Sequence, residues 1–265
     1  MPFLDVEGGR LWYEAAGDGP PVLVLHSTLV DSRQWDDQMA SFSARFRVIR
    51  FDLRGFGRSD MPAGSYRPLD DVAELLRSLD AVPAALVGAS AGGALSLLFP
   101  MEHPEMVSAL VLVASGGPRF TGWSDELRSL WEATEAALEQ GDQERAQRLE
   151  LGYWVPAGRF GEDSESDRRI ARIAADNIRA AAEAEDFMEG PDEAPLERLS
   201  GIRVPTLVVL AEHDEPGIQA IGSSVAAGVP SAELVTIPGT DHLVNMRNPA
   251  QFDRVVMDFL GKALG

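Results

Sequence analysis

At 265 residues, 45% hydrophobic and 25% charged, the chain has the size and balance of one α/β domain with an insertion, and can bury a large core. A formal net charge of −19 repels phosphate and excludes nucleic acid and anionic membrane surfaces as partners. The absence of cysteine removes disulfides, thiolate metal sites and thiol nucleophiles, and Lys262, the only lysine, leaves no basis for lysine chemistry.

Residues 3–6 and 11–15 flank Gly8-Gly9 and read as a hairpin. The N-terminus lacks the basic and apolar regions of a leader, and no later apolar run approaches membrane-spanning length, so a cytoplasmic protein is expected. Largely apolar runs follow at 21–25, 47–51, 84–87, 109–113, 206–210 and 234–237. Runs apolar on both faces imply a sheet covered on both sides, hence mostly parallel. Helical patterns alternate with them: Val72, Leu75, Leu76 and Leu79 have i, i+3, i+4, i+7 spacing, and Phe252, Val256, Phe259 and Leu260 follow an Asn248 cap with Pro249 at the first helical position. An α/β open sheet is predicted.

The alternation breaks between residues 117 and 199. Leu127, Leu130, Trp131 and Leu138 form one helical stripe there, and Ile170, Ile173, Ala174 and Ile178 form another behind a Ser164-x-x-Asp167 capping box; an acidic loop from Glu189 closes the block. Ligands of open α/β sheets bind at the carboxyl ends of the strands, where this block leaves and re-enters. The expected organisation is a core domain of residues 1–117 and 197–265 with an all-helical cap of residues 118–196.

Chemistry centres on Gly88-Ala89-Ser90-Ala91-Gly92, between the strand at 84–87 and a helical pattern from Gly93. A serine in so tight a turn takes a strained conformation that tolerates only very small residues two positions away, and the Ala91 N–H at the helix start points where the hydroxyl points. A serine needs a base. His242 follows the last strand in a loop placed to reach the carboxyl edge. His103 sits at the far end of the helix after Ser90 and reads as a solvent-exposed terminus, His213 reads as solvent-facing, and His26 as shaping the loop after the strand at 21–25. The acid that orients the base is assigned to Asp214, just past the strand at 206–210, with Glu212 or Glu215 as alternatives. The order Ser90, Asp214, His242 is that of α/β-hydrolases.

Together with Phe51-Asp52-Leu53-Arg54-Gly55-Phe56-Gly57-Arg58-Ser59-Asp60, this identifies the chain as resembling the α/β-hydrolase superfamily over essentially its whole length. The resemblance implies a mostly parallel eight-stranded sheet flanked by helices, with the helical cap inserted between strands 6 and 7. It gives Arg54 and Ser59 structural roles, and makes the backbone N–H groups of Ala91 and Thr28 the oxyanion donors. Ser27 replaces the usual glycine of His-Gly and offers its hydroxyl or its own N–H as the alternative to the Thr28 donor. That replacement, with Trp35 downstream, is similar to 3-oxoadipate enol-lactonases.

Serine at the turn, where related dehalogenases and epoxide hydrolases carry aspartate, implies hydrolysis of a small to medium carboxylic ester or lactone, without cofactor or metal. Cofactor-free perhydrolase or haloperoxidase chemistry and a non-catalytic ligand-binding role are the alternatives. Trp131, Tyr153 and Phe160 add aromatic surface to the expected substrate contacts, Ser27, Trp123, Trp154 and Phe187. Arg119, Arg159 and Arg179 are the candidates for a substrate carboxylate, as an enol-lactone would carry.

Overall fold

The computed structural model describes residues 2–156, 158–159, 164–177 and 195–265. Phe160, Ile178, Arg179, Phe187 and the loop from Glu189 to residue 194 lie outside the described residues.

One sheet organises the chain. Its strands are β1 (Phe3–Val6), β2 (Gly9–Ala16), β3 (Pro21–Leu25), β4 (Arg47–Phe51), β5 (Ala84–Ala89), β6 (Val107–Val113), β7 (Thr206–Ala211) and β8 (Ala232–Ile237). They run in the order β1-β2-β4-β3-β5-β6-β7-β8. The β1–β2 and β2–β4 pairs are antiparallel and the rest parallel, which is the α/β-hydrolase fold. Gly8, at φ +80, makes the predicted hairpin turn.

Strand alternation splits the core in two. Leu23, Leu25, Leu86, Leu110, Leu112 and Val208 face one side, covered by α2 (Pro68–Ser78), α3 (Ala91–Glu102) and much of α7 (Pro216–Gly228). Val22, Val24, Val87, Val111, Val113 and Val209 face the other, covered by α1 (Asp36–Phe42) and α9 (Pro249–Leu264). Burial on both faces is why these strands read as unbroken apolar runs. β8 departs from that reading: it pairs only with β7, and Leu234 is 45% exposed, as an edge strand allows.

Between β6 and β7 lie α4 (Asp125–Glu139), α5 (Gln143–Trp154) and α6 (Glu165–Asp176). Ser124 and Ser164 cap α4 and α6 by accepting N–H bonds from Leu127 and Asp167. The α8 turn (Val244–Arg247) precedes α9, which Asn248 caps as predicted by accepting from the Gln251 N–H. No helix among the described residues is long and apolar enough to cross a membrane.

From β3 the chain crosses to β4 on one side, and β5 returns to the other side of β3. The carboxyl ends of β3 and β5 therefore meet at the switch point, the place where an open sheet leaves a crevice.

Candidate active site

Ser90 sits between β5 and α3 with φ 53 and ψ −114, a conformation costly for any residue with a side chain. Its backbone is over-determined: the N–H donates to the Val113 carbonyl (3.0 Å), and the Ser90 carbonyl accepts from Ala94 (2.9 Å) and Gly116 (3.0 Å). Side chains are barred on both flanks. A Cβ on Gly88 would strike the Gly92 carbonyl, and one on Gly92 would strike the Leu25 carbonyl at the end of β3.

His242 and Asp214 reach this serine from two other strand ends. His242 Nε2 is 2.8 Å from Ser90 Oγ, and His242 Nδ1 is 3.0 and 3.1 Å from the two Asp214 oxygens. The His242 and Asp214 side chains are 2% and 1% exposed, so the pair is shielded from water. Asp214 Oδ1 also accepts the Glu215 N–H at 2.8 Å, which fixes the carboxylate independently of the histidine.

The neighbouring carboxylates are engaged elsewhere. Glu212 is half exposed and accepts the Gly239 N–H at 2.8 Å. Glu215 caps α7 by accepting from Gly217 and Ile218, and holds Ser124 through its N–H at 3.0 Å. His213 is exposed, as expected. His103 is not: it is half-buried, its ring 5.0 Å from Phe99, because α3 ends against its own last apolar turn.

The loop after β3 is set by His26, which is fully buried. Its Nδ1 donates to the Ser27 carbonyl and its Nε2 accepts the Leu53 N–H, both at 2.9 Å, so both ring nitrogens are occupied structurally. Ser27 is also buried: its N–H donates to Gln34 Oε1 (2.9 Å) and its hydroxyl accepts the Leu29 N–H (3.2 Å). The Ser27 N–H is therefore committed, whereas the N–H groups of Thr28 and Ala91 have no acceptor among the described residues. Gln34 in turn donates to Asn245 Oδ1 (3.0 Å), and Asn245 donates back to the Gln34 carbonyl (2.9 Å). This buried amide chain ties the Thr28 loop to the turn that follows His242.

Above Ser90 and His242 opens a cavity of about 360 Å³ lined by Thr28 and Leu29 from the core, Trp131 and Thr134 from α4, and Glu150 and Trp154 from α5. The Trp154 ring lies over His242 at 4.4 Å between centroids. Its indole N–H donates to Glu150 Oε2 at 2.9 Å, and the Thr134 hydroxyl donates to Glu150 Oε1 at 3.0 Å. Burial pushes the Glu150 carboxyl up, against the opposing pull of these two bonds and of His242.

Of the residues that the sequence put around the substrate, Trp154 and Trp131 line the cavity, whereas Tyr153 is not among its described lining and its hydroxyl meets that of Ser124 (3.2 Å). Ser27 is beneath the loop. Trp123 packs instead on Phe120 (5.0 Å) and Trp131 (5.8 Å), its ring filling the space that a Cβ on Gly217 would need. Arg119 and Arg159 are exposed and absent from the described lining, and Arg159 donates to the His213 carbonyl. Sequence reasoning missed Glu150. Its i, i+4 relation to Trp154 was the available signal.

Arg247, 1% exposed, joins this site to α6. It donates to both oxygens of the fully buried Asp241 (3.0 and 2.9 Å), to Ser166 Oγ (2.9 Å) and to Asp167. Asp241 directly precedes His242. Replacing Arg247 with methionine leaves a buried carboxylate without its counter-charge, an expected loss of about 3–5 kcal/mol in urea denaturation. Adding Asp241→Asn is expected to recover part of that loss; equal instability of the single and double variants would count against the pairing.

Residues 22–255 match the family model described as "Alpha/beta hydrolase family". The chain is 29% identical over 270 residues to a putative 2-succinyl-6-hydroxy-2,4-cyclohexadiene-1-carboxylate synthase of Bacillus subtilis, covering 94% of each. It is 27% identical to a putative carbamate hydrolase of Azorhizobium caulinodans, covering 99% of each. Among solved structures, the enol-lactonase from Burkholderia xenovorans superposes with a TM-score of 0.82 at 25% identity, over 98% of this chain and all of that one.

Proposed function

The chain belongs to the alpha/beta hydrolase family, and from that premise we propose that it is a serine hydrolase cleaving small to medium carboxylic esters or lactones through an acyl-enzyme on Ser90. One observation carries the reading: Ser90 Oγ lies 2.8 Å from one ring nitrogen of His242 while the other ring nitrogen faces Asp214.

Ser90 attacks the carbonyl carbon as its proton passes to His242 Nε2, and Asp214 holds Nδ1–H so that the basic nitrogen faces the serine. Negative charge gathers on the carbonyl oxygen and meets the N–H groups of Ala91, at the start of α3, and Thr28. The imidazolium then gives its proton to the departing alcohol oxygen. Water repeats the sequence on the acyl-enzyme, with His242 again as base, and frees the acid. The helices α4, α5 and α6 between β6 and β7 serve as a cap over this cavity. Lactones enter the reading through the enol-lactonase neighbour. The Glu135 and Glu150 carboxylates in the lining favour substrates without a carboxylate of their own.

A fluorophosphonate probe tests the proposal. Intact mass is expected to show one adduct per chain and peptide mapping to place it on Ser90. No adduct, or an adduct on another residue, would remove the serine-hydrolase reading.

A further inference from the structure

The cavity has a chemical asymmetry that goes beyond ester cleavage. Besides Asp214, which orients the base from behind, Glu150 is the cavity-lining carboxylate tied to its surroundings: it holds the indole N–H of Trp154, whose ring stacks on His242 at 4.4 Å between centroids, tilted by 38°. His242 must face the leaving oxygen to protonate it, so the side of the cavity flanked by His242, Trp154 and Glu150 receives the alcohol portion of the substrate. Each Glu150 oxygen accepts one bond from the protein, from Trp154 and from Thr134, and a carboxylate oxygen has capacity for a second.

We propose that Glu150 is a specificity residue, selecting esters and lactones whose alcohol side carries a hydrogen-bond donor (a hydroxyl, an amide N–H or a protonated amine) and rejecting those that carry a carboxylate there. The inference rests on Ser90 being the nucleophile.

A donor placed between the two free lone-pair sites replaces water on a partly buried carboxylate, where such a bond is stronger than in bulk solvent. A carboxylate in the same place meets like charge at low effective dielectric. Glu135 and the polar side chains of Gln143 and Gln147 extend the acceptor-rich character of this wall, and no arginine or lysine is present among the described lining residues. Trp154 contributes apolar surface to the same side, so an aromatic or short aliphatic alcohol carrying one donor matches the wall in both respects.

Four acetate esters test this: phenyl acetate and its 3-hydroxymethyl, 3-aminomethyl and 3-carboxy derivatives, with each kcat/KM divided by the rate constant for hydroxide-catalysed hydrolysis. In wild type the hydroxymethyl and aminomethyl esters are expected to exceed the carboxy ester by at least about tenfold, the size of one charge-assisted hydrogen bond. Glu150→Gln is expected to shrink the aminomethyl-to-carboxy ratio about tenfold, mainly through KM.

A wild-type enzyme that treats the four esters alike overturns the proposal, and so does a Glu150→Gln variant that keeps the full ratio. The wild-type comparison decides alone if the variant does not fold. Fluorophosphonate labelling of the same preparation separates the two readings. A labelled enzyme without discrimination, or one that hydrolyses none of the four, removes the Glu150 inference and leaves the nucleophile. An unlabelled one removes both.

Discussion

Ser90→Ala is expected to lower kcat for a p-nitrophenyl ester by about six orders of magnitude, the loss seen when a triad nucleophile is removed. What remains, about 10³–10⁴ over water, would come from the Ala91 and Thr28 N–H groups and from binding alone. Folding should be little affected. The strained backbone at this position is held by bonds from the Ser90 N–H and carbonyl, which alanine retains, and the hydroxyl's one described partner is His242. Measurement requires active-site titration, so that trace wild type does not set the floor. A variant within tenfold of wild type would show that another group carries the chemistry.

Asp214→Asn is expected to lower kcat by about 10⁴. Both Asp214 oxygens are within 3.1 Å of His242 Nδ1, so the carboxylate holds that nitrogen as a donor and leaves Nε2 free to take the serine proton. An asparagine can turn its NH₂ toward Nδ1 and stabilise the opposite tautomer, in which Nε2 carries the proton and cannot act as base. The adjacent carboxylates are built-in controls. Glu212→Gln should leave turnover within a few-fold, because that side chain is half exposed and serves the Gly239 N–H. Glu215→Gln should act on stability by about 1 kcal/mol, as loss of a helix cap does, since Glu215 caps α7. Loss of turnover in Glu212→Gln, with Asp214→Asn still active, would transfer the orienting role.

The position of α6 bears on how the cavity is held. Arg33 reaches Asp176 (2.7 Å), Arg169 reaches Asp37 (2.7 Å), and Asn177 joins Asp31 (2.9 Å) while accepting the Gly57 N–H (2.7 Å). With Arg247 at its other end, this helix is bonded to the core at both termini. Such ties cross long stretches of chain, and helical periodicity shows only that one face of α6 is apolar.

Much of the fold was legible because its causes are local. Apolar runs too long to alternate identified the buried parallel strands, and small residues around Ser90 identified the turn, because a Cβ on Gly88 or Gly92 would collide with backbone. The caps at Asn248 and Ser164 were legible for the same reason: a short side chain satisfies an N–H three residues on. The exposed face of β8 was not, since nothing in residues 232–237 says that a strand ends a sheet.

The sequence by itself determined which residue types were available, their order along the chain, and the strand-turn-helix around Ser90, all set by sterics and periodicity acting over a few residues. Only the tertiary structure decided which of Glu212, Asp214 and Glu215 meets His242, that the Ser27 N–H is committed to Gln34, and that Trp154 rather than Trp123 lines the cavity beside Glu150. The first of those outcomes depends on side chains 28 and 152 residues apart arriving within 3.1 Å of one another. The order of strands in the sheet and the direction of each turn bring them together, and neither is encoded in any single segment.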